Sequence, residues 1–441
     1  MLKTDSSYIC DMNTIETIYE HFLLSTGVST DSRQLKPGCM FFALKGPNFD
    51  ANLLVEKALE NGADWAIADD PSFASNQRVF VVEDVLKALQ QLAALHRAKM
   101  SAKIIAITGS NGKTTTKELV LRVLSSKFNT IATEGNLNNH IGVPLTLLRL
   151  KPETEIAVIE MGANHMGEIM QLCRIARPEY GLITNIGKAH LEGFGSFTGV
   201  INAKSELYSW IDDHGKLLFV NADNKLLDGL SINIKRFTYG EALYNNLYGE
   251  LVSDQPFLHV AYEFQEQQAV IGTRMIGAYN TENILAAISI GCYFGVEAEQ
   301  IVEAITTYIP SNSRSQLIET KTNKVIMDAY NANPVSMAAA ITNFDRMRGQ
   351  KAAVIIGDML ELGASSDEEH AEILKLLTDL DFNQVYLVGP LFERVYAGDD
   401  WLHFNDVDAL YTFLKKKPIR NSDILIKGSR GIKLEKVLPL L

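Results

Sequence analysis

Residues able to handle a phosphoryl group gather between Ala106 and Glu118, in the order Ala-Ile-Thr-Gly-Ser-Asn-Gly-Lys-Thr-Thr-Thr-Lys-Glu. Gly112 allows the backbone amides to turn toward an anion, Lys113 carries a charge suited to β- and γ-phosphate oxygens, and Thr114 offers a hydroxyl to magnesium. The full P-loop pattern also asks for a glycine where this chain has Ile107, so the stretch Gly109, Ser110, Asn111, Gly112, Lys113, Thr114, Thr115 is a shorter form. The same glycines would serve a plain strand-to-helix turn. A Gly-x-x-Gly-Lys-Thr spacing between an apolar strand and a helical pattern favours a triphosphate, with the helix N-terminus aimed at it.

Four further groups stand at the ends of apolar runs. Glu160 closes "IAVIE" and is suited to a metal or to solvent. His190 follows "GLITNI" in a glycine-flanked loop, a position open to a site histidine or a structural one. Lys204 lies on a helical pattern beside Glu206, where solvation is the ordinary expectation. Asp328 ends "KVIMD" and is followed by Tyr330, Asn331 and Asn333 before Pro334, residues that equally make a polar turn and a helix start. "GDMLELG" (357–363) and "KGSRG" (427–431) are similar strand-end loops, and three of them on one sheet face suggest a crevice.

These groups need strands and helices to hold them. Beyond residue 97, apolar strands at "KIIAIT", "IAVIE", "GLITNI" and "KLLFV" alternate with helical stretches, which predicts a mostly parallel sheet. Polar–apolar alternation over 250–275 predicts a small antiparallel excursion, and a helix pair at 279–293 and 297–308 follows. "IPSNSRS" (309–315) reads as a linker. Strands at "KVIMDA", "AAVIIG", "QVYLVG" and "DILIKG" then predict a doubly wound domain. Ahead of the glycine loop, short strands at 40–44, 65–68 and 79–82 precede a helix whose Val85, Leu86, Leu89, Leu92 and Leu95 form a packing stripe.

The bulk numbers fit several domains. There are 441 residues, 46% hydrophobic and 21% charged, with a net charge of −12 and no long basic run. This argues against a nucleic-acid surface. The four cysteines, Cys10, Cys39, Cys173 and Cys292, have no Cys-x-x-Cys spacing, so reduced thiols are expected. The N-terminus lacks a signal-peptide core, and the longest apolar run, Ile284 to Val296, is too short to span a membrane and reads as a buried helix.

In order along the chain, TGSNGKTTTKE, GNLNNHIGVP (135–144), EMGA, TNIGKAH, NAKSE, NADN (221–224), DAYNANP, GDMLELG and KGSRG resemble the Mur ligases. "STDSR" (29–33) and "FFALKG" (41–46) are similar to that family's UDP-substrate domain. The resemblance implies an α/β chain of three domains: a small N-terminal α/β domain (1–97) for the UDP moiety, a central P-loop parallel-sheet ATPase domain (98–312), and a C-terminal Rossmann-like domain (313–441).

It implies a monomeric cytoplasmic enzyme of peptidoglycan precursor synthesis that uses ATP to phosphorylate a peptide carboxylate. "DAYNANP" with "GDMLELG" implies D-alanyl-D-alanine as the amine and UDP-N-acetylmuramoyl-tripeptide as the acceptor. A single-amino-acid ligase of the same family, or one like folylpolyglutamate synthase, is the alternative. A regulatory P-loop NTPase is a second, which leaves His190 and Lys204 without a role. Position by position, the resemblance gives Thr114 and Glu160 to a first magnesium, His190 to a second, and makes Lys204 a carbamoylated lysine that helps hold metal. Asn283, Arg314 and Asp328 would contact the nucleotide, and Thr30, Ser32, Arg33, Asn136, Asn138 and Asn139 the UDP-substrate. Tyr330, Asn331 and Asn333 would lie near the dipeptide. The chain departs from the family pattern at Tyr279, where histidine is expected, and at "NSRSQ", where Gly-Arg is more usual.

Overall fold

The computed structural model describes residues 12–311 and 313–441. Cys10 lies outside the described residues; Cys39, Cys173 and Cys292 are buried free thiols. The chain packs as two compact units. One holds the described residues up to Ala106 with Asn129–Gly162 and Glu168–Glu179. The other holds Ile107–Phe128, Ala163–Gly167 and Tyr180–Leu441.

In the first unit, four parallel strands, Val28–Ser29, Met40–Phe42, Trp65–Ala68 and Val79–Val81, lie side by side in chain order. Phe41, Ala43, Val55, Ala58 and Ala66 fill the space under them. The helix Val85–Lys99 starts where the Asp84 carboxylate accepts the Lys87 amide at 2.9 Å, and it closes on Arg97 and Lys99, cations suited to a helix C-terminus. Its buried face is Val85, Ala88, Leu89, Leu92, Ala93, His96 and Arg97, while Leu86 and Leu95 are only half-buried at its edges. The predicted stripe is therefore rotated: two alanines take the centre, because small side chains allow close approach, and two polar residues complete the face. Both are satisfied. The His96 Nε2 lies 2.9 Å from the Leu150 carbonyl, so that nitrogen donates, and Nδ1 accepts from the Tyr19 hydroxyl at 3.2 Å. Arg97 donates to the Ala176 carbonyl at 3.0 Å and to Glu179 at 3.3 Å, while Glu179 takes the Ile104 amide at 2.8 Å. In this unit the strand Thr130–Ala132 pairs in parallel with Ile156–Glu160.

In the second unit, the strands Tyr180–Ile183, Leu217–Asn221, Arg236–Gly240 and Leu247–Ser253 run parallel, and His259–Phe264 and Gln267–Gly272 add an antiparallel edge. That edge is the excursion expected from the alternation over 250–275. In the helix Thr281–Tyr293, Ile284 to Cys292 is buried throughout, as the apolar run predicted, and the helix ends at Tyr293, short of the run's end at Val296. Among the described residues no helix is long and apolar enough to cross a membrane.

A second sheet follows in the same unit, in the order Gln316–Glu319, Lys324–Asp328, Asp423–Lys427, Ala352–Gly357, Val385–Val388, Leu402–Phe404. All pairs are parallel except the first. The last strand of the chain, Asp423–Lys427, inserts between Lys324–Asp328 and Ala352–Gly357, so Asp328, Gly357 and Lys427 lie at the C-terminal ends of three adjacent parallel strands. This is the edge of an open α/β sheet whose crevice takes ligands. Helices Pro334–Met347 and Ser366–Asp379 pack Met337, Ile341, Phe344, Ile373 and Leu377 onto one face, and Val407–Lys416 covers the other.

The buried histidines carry a pH prediction. Burial pushes both His96 and His370 below their ordinary value of 6.5. In the folded chain they stay neutral where the unfolded chain would bind protons. Stability is then held above about pH 6.5 and lost as pH falls through that value. Thermal melts should show Tm falling between about pH 7 and pH 5.5, with a shallower slope in His96→Gln. A flat Tm across that window contradicts the assignment.

Candidate active site

The strand Lys103–Thr108 delivers the chain to Gly109, at φ 142°, and Gly112, at φ 78°, which caps the 13-residue helix Lys113–Ser125. A Cβ on Gly109 would run into the Thr184 hydroxyl, and one on Gly112 into the Asn283 amide. Both positions therefore require glycine for conformation and for space. Asn283 in turn accepts from Thr116 at 3.0 Å and donates to Asn280 at 2.9 Å, which fixes its amide beside the loop.

Residues 184–187 hold the loop from one side. Ser110 N–H donates to the Asn185 carbonyl at 2.9 Å, Asn111 N–H donates to Asn185 Oδ1 at 2.9 Å, and the Thr184 hydroxyl donates to the Asn111 carbonyl at 2.5 Å. Gly187 N–H donates to the Ser110 hydroxyl at 2.9 Å. From the other side, the Asn333 amide donates to Asn111 Oδ1 at 2.7 Å. The Lys113 ammonium folds back onto the carbonyls of Gly109, at 2.7 Å, and Ser110, at 3.1 Å. A shaped loop at a long helix's N-terminus, with a lysine turned over it, is a fitting cradle for a polyphosphate.

His190 has φ 51° and stands at the head of the short helix Leu191–Phe194. Its Nδ1 is 2.5 Å from a carboxylate oxygen of Glu361, which is itself at φ 66°. Two non-glycine residues in the left-handed region, side by side, are held there by the surrounding structure. The His190 imidazole holds the Glu361 carboxyl below the usual carboxylate range. A carboxylate on one ring nitrogen is the arrangement that orients a metal-ligating histidine.

Lys204 lies on the helix Phe197–His214, which Ser196 caps by accepting the Gly199 amide at 3.0 Å. It is 1% exposed, with its ammonium 3.4 Å from the Ala163 carbonyl and 5.3 Å from the Phe194 ring centroid. The expected solvated lysine is thus a core residue. The signal was available: Val200, Ala203, Leu207, Tyr208 and Ile211 form the buried stripe of that helix, and Lys204 falls within it.

Glu160 belongs to the first unit. It is buried at the end of its strand, takes the Asn138 amide at 2.7 Å, and its own N–H donates to Thr133 at 3.0 Å. Asn138 N–H donates to the Asn136 carbonyl at 2.7 Å, and Asn139 Oδ1 accepts the Gly142 amide at 2.9 Å, starting the helix Gly142–Leu147. In the same unit Arg33 forms a two-pronged pair with Asp31, at 2.9 and 2.7 Å, which draws the Asp31 carboxyl down to about 2. Thr30 and Ser32 flank it, half-buried.

At the crevice of the second sheet, Asp328 accepts the Ser315 amide at 3.0 Å and pairs with Lys427 at 2.6 Å. The Arg314 guanidinium lies 3.5 Å from the centroid of the Tyr330 ring. Ser313 and Ser315 both have positive φ, and the Tyr330 amide donates to the Ser313 carbonyl at 3.2 Å. The predicted linker is therefore bound to the strand end. Tyr279, the departure from the family pattern, shares a 2.8 Å hydrogen bond with the Ser315 hydroxyl and so serves the same anchoring. Asn333 also accepts the Ser336 amide at 2.9 Å and caps Pro334–Met347.

Thr184, Asn185, Glu361 and Lys427 lie inside the motifs TNIGKAH, GDMLELG and KGSRG, at the polar end of an apolar strand or in the loop just after it, but nothing in the sequence gave any of the four an individual role. Asp358, in "GDMLELG", is spent on structure, since it accepts the Leu391 and Phe392 amides at 2.9 and 3.0 Å.

An open, mostly parallel sheet with a glycine-built phosphate cradle, followed by a second α/β sheet, defines a P-loop α/β protein of more than one domain. Residues 107–291 match the Mur ligase middle domain, 313–430 the Mur ligase glutamate ligase domain, and 25–97 the Mur ligase family catalytic domain. The chain belongs to the Mur ligase family and has its three-domain α/β architecture. It is 36% identical to the UDP-N-acetylmuramoyl-tripeptide–D-alanyl-D-alanine ligase of Bacillus subtilis, over 93% of this chain and 92% of that one. Among solved structures, MurF from Acinetobacter baumannii superimposes with a TM-score of 0.82 at 30% identity, covering 96% and 97% of the two chains. MurF ligase from Thermotoga maritima in complex with ADP gives 0.81 at 27% identity, covering 95% and 97%.

Proposed function

We propose that this chain is an ATP-dependent, ADP-forming ligase that joins D-alanyl-D-alanine to UDP-N-acetylmuramoyl-tripeptide. The relatives' names support the substrates. The observation that carries the chemistry is the hydrogen bond from Asn333 to Asn111. It ties the "DAYNANP" turn to the phosphate loop, so an amine held near that turn arrives where a phosphoryl group is handled. Holding two reactants in one place accounts for much of such a reaction's acceleration.

When bound, ATP would supply the phosphoryl group and two magnesium ions would neutralise its charge. The residues present fit these groups. The loop amides and Lys113 would grip the phosphates, Asn283, Arg314 and Asp328 the nucleoside. Thr114 and Glu160 would hold one metal, and His190, oriented by Glu361, the other; hydroxyl, carboxylate and imidazole are ordinary donors to magnesium or its waters. Lys204 would join this set as a carbamate, which offers hard oxygens where an ammonium would repel a cation. Thr30, Ser32, Arg33, Asn136, Asn138 and Asn139 would hold the UDP-substrate, and Tyr330, Asn331 and Asn333 the dipeptide. Lys113 would steady the charge that grows as the peptide carboxylate takes the phosphoryl group, and the dipeptide amine would then displace phosphate.

We assign 1–97 to UDP-substrate binding, 98–312 to the ATPase and 313–441 to the Rossmann-like domain, in a cytoplasmic monomer. Incubation with ATP, magnesium, UDP-N-acetylmuramoyl-tripeptide and D-alanyl-D-alanine should release phosphate and give a product heavier by the dipeptide less one water. Release only with a single amino acid would overturn this function.

A further inference from the structure

We propose that Lys427 is a positioning residue that fixes the turn at 329–333 and couples nucleotide binding to dipeptide binding. The proposal rests on the ligase function above. Lys427 ends the strand Asp423–Lys427, directly opposite Asp328 in the parallel register. Its side chain is 3% exposed. The ammonium donates to Asp328 Oδ2 at 2.6 Å and to the Asn331 carbonyl at 3.3 Å. The other Asp328 oxygen takes the Ser315 amide at 3.0 Å.

A buried ion pair adds little net stability, because desolvation offsets most of the attraction; what it fixes is geometry. Here the geometry is that of a turn with no ladder or helix of its own. Its anchors include Lys427 on the Asn331 carbonyl, the Asn331 side chain on the Ala332 amide at 2.9 Å, and Asn333 on the phosphate loop at 2.7 Å, beside the Tyr330 amide on the Ser313 carbonyl at 3.2 Å and the Ser429 hydroxyl on the Ala332 carbonyl at 3.4 Å. Lys427 thus joins the carboxylate assigned to the nucleoside to the turn assigned to the dipeptide. Asn333 carries the connection on to Asn111. An ammonium held by two oxygens can do this, whereas a neutral side chain of the same length cannot.

The test is Lys427→Met in the full chain, with folding checked by circular dichroism. ADP affinity, measured by calorimetry, should weaken about tenfold, and KM for D-alanyl-D-alanine should rise about tenfold, the size of a lost charged hydrogen bond. KM for UDP-N-acetylmuramoyl-tripeptide should stay within about twofold. In a cycle with Asn111→Ala, the losses in ADP affinity should be non-additive, because both variants cut one network. A folded Lys427→Met with unchanged ADP affinity and unchanged dipeptide KM overturns the proposal, as do additive losses. If Lys427→Met does not fold, the comparison moves to Asp328→Asn, which removes the uncompensated carboxylate. There, adding Lys427→Met should still raise the dipeptide KM, and no change overturns the proposal. Should the wild-type chain make no dipeptide product, the ligase function fails, and the ADP measurements alone decide the role of Lys427.

Discussion

Replacement of Lys113 by alanine should lower phosphate release by about 10²- to 10³-fold, the cost of removing one well-placed charge from a phosphoryl-transfer site. The folded chain should hardly notice. The Lys113 ammonium is bonded to the carbonyls of Gly109 and Ser110, and the side chain is only half-buried. Losing two such bonds at the surface costs about 1 kcal/mol each at most, since water replaces the donor. The loop keeps its shape through Thr184, Asn185, Gly187 and Asn333, none of which depends on Lys113. Stability and rate are therefore separable. Thermal melts should agree between wild type and variant to within a few degrees, as expected for a change of that size. Lys113→Arg should also fail, because a planar fork cannot replace a compact ammonium turned over a tight loop. Turnover within tenfold of wild type in Lys113→Ala would remove this lysine from the chemistry.

The glycine loop was legible because its constraints are local. Gly109 and Gly112 need left-handed backbone and open space, and a strand and helix bracket them in the sequence. The strands were legible for the same reason, since apolar runs with turn residues after them form parallel sheets almost whatever the partner. The helix Val85–Lys99 was legible but the centre of its buried face was not, because leucine spacing marks one stripe while close packing puts Ala88 and Ala93 at the centre.

Long-range pairings were not legible. Glu361 sits 171 residues from His190, and Lys427 sits 99 residues from Asp328. Nothing in either segment announces the other, because the pairing is set by sheet order. Asp328 and Lys427 meet only because the last strand of the chain inserts beside Lys324–Asp328. Tyr279 was legible as a departure but not as an anchor, since its partner Ser315 is brought to it by the return of the linker. Family resemblance filled part of this gap: it pointed to His190 and Lys204 where the residues alone gave an ordinary histidine and a solvated lysine.

Lys204 gives the other large effect. Lys204→Ala is expected to lose most ligase activity, on the order of 10²-fold or more if the side chain helps to hold metal, and excess bicarbonate should not restore it. Alanine alone does not decide the cause, because Lys204 is 1% exposed and truncating a long core side chain costs about 2–5 kcal/mol through the cavity left behind. Lys204→Met and Lys204→Arg separate the possibilities. Methionine nearly keeps the volume and can lie against Phe194, so a pure packing role predicts a stable and active Lys204→Met. Arginine keeps the positive charge near the Ala163 carbonyl but cannot form a carbamate. If the ammonium itself steadies substrate charge, Lys204→Arg should retain activity and Lys204→Met should not. If the carbamate is the working form, both should fall with Lys204→Ala, and wild-type activity should drop when carbon dioxide is stripped from the buffer and return when bicarbonate is added. The folded fraction by circular dichroism should be near wild type for methionine in either case. Near-normal turnover in Lys204→Met would place this lysine among the packing residues of its helix.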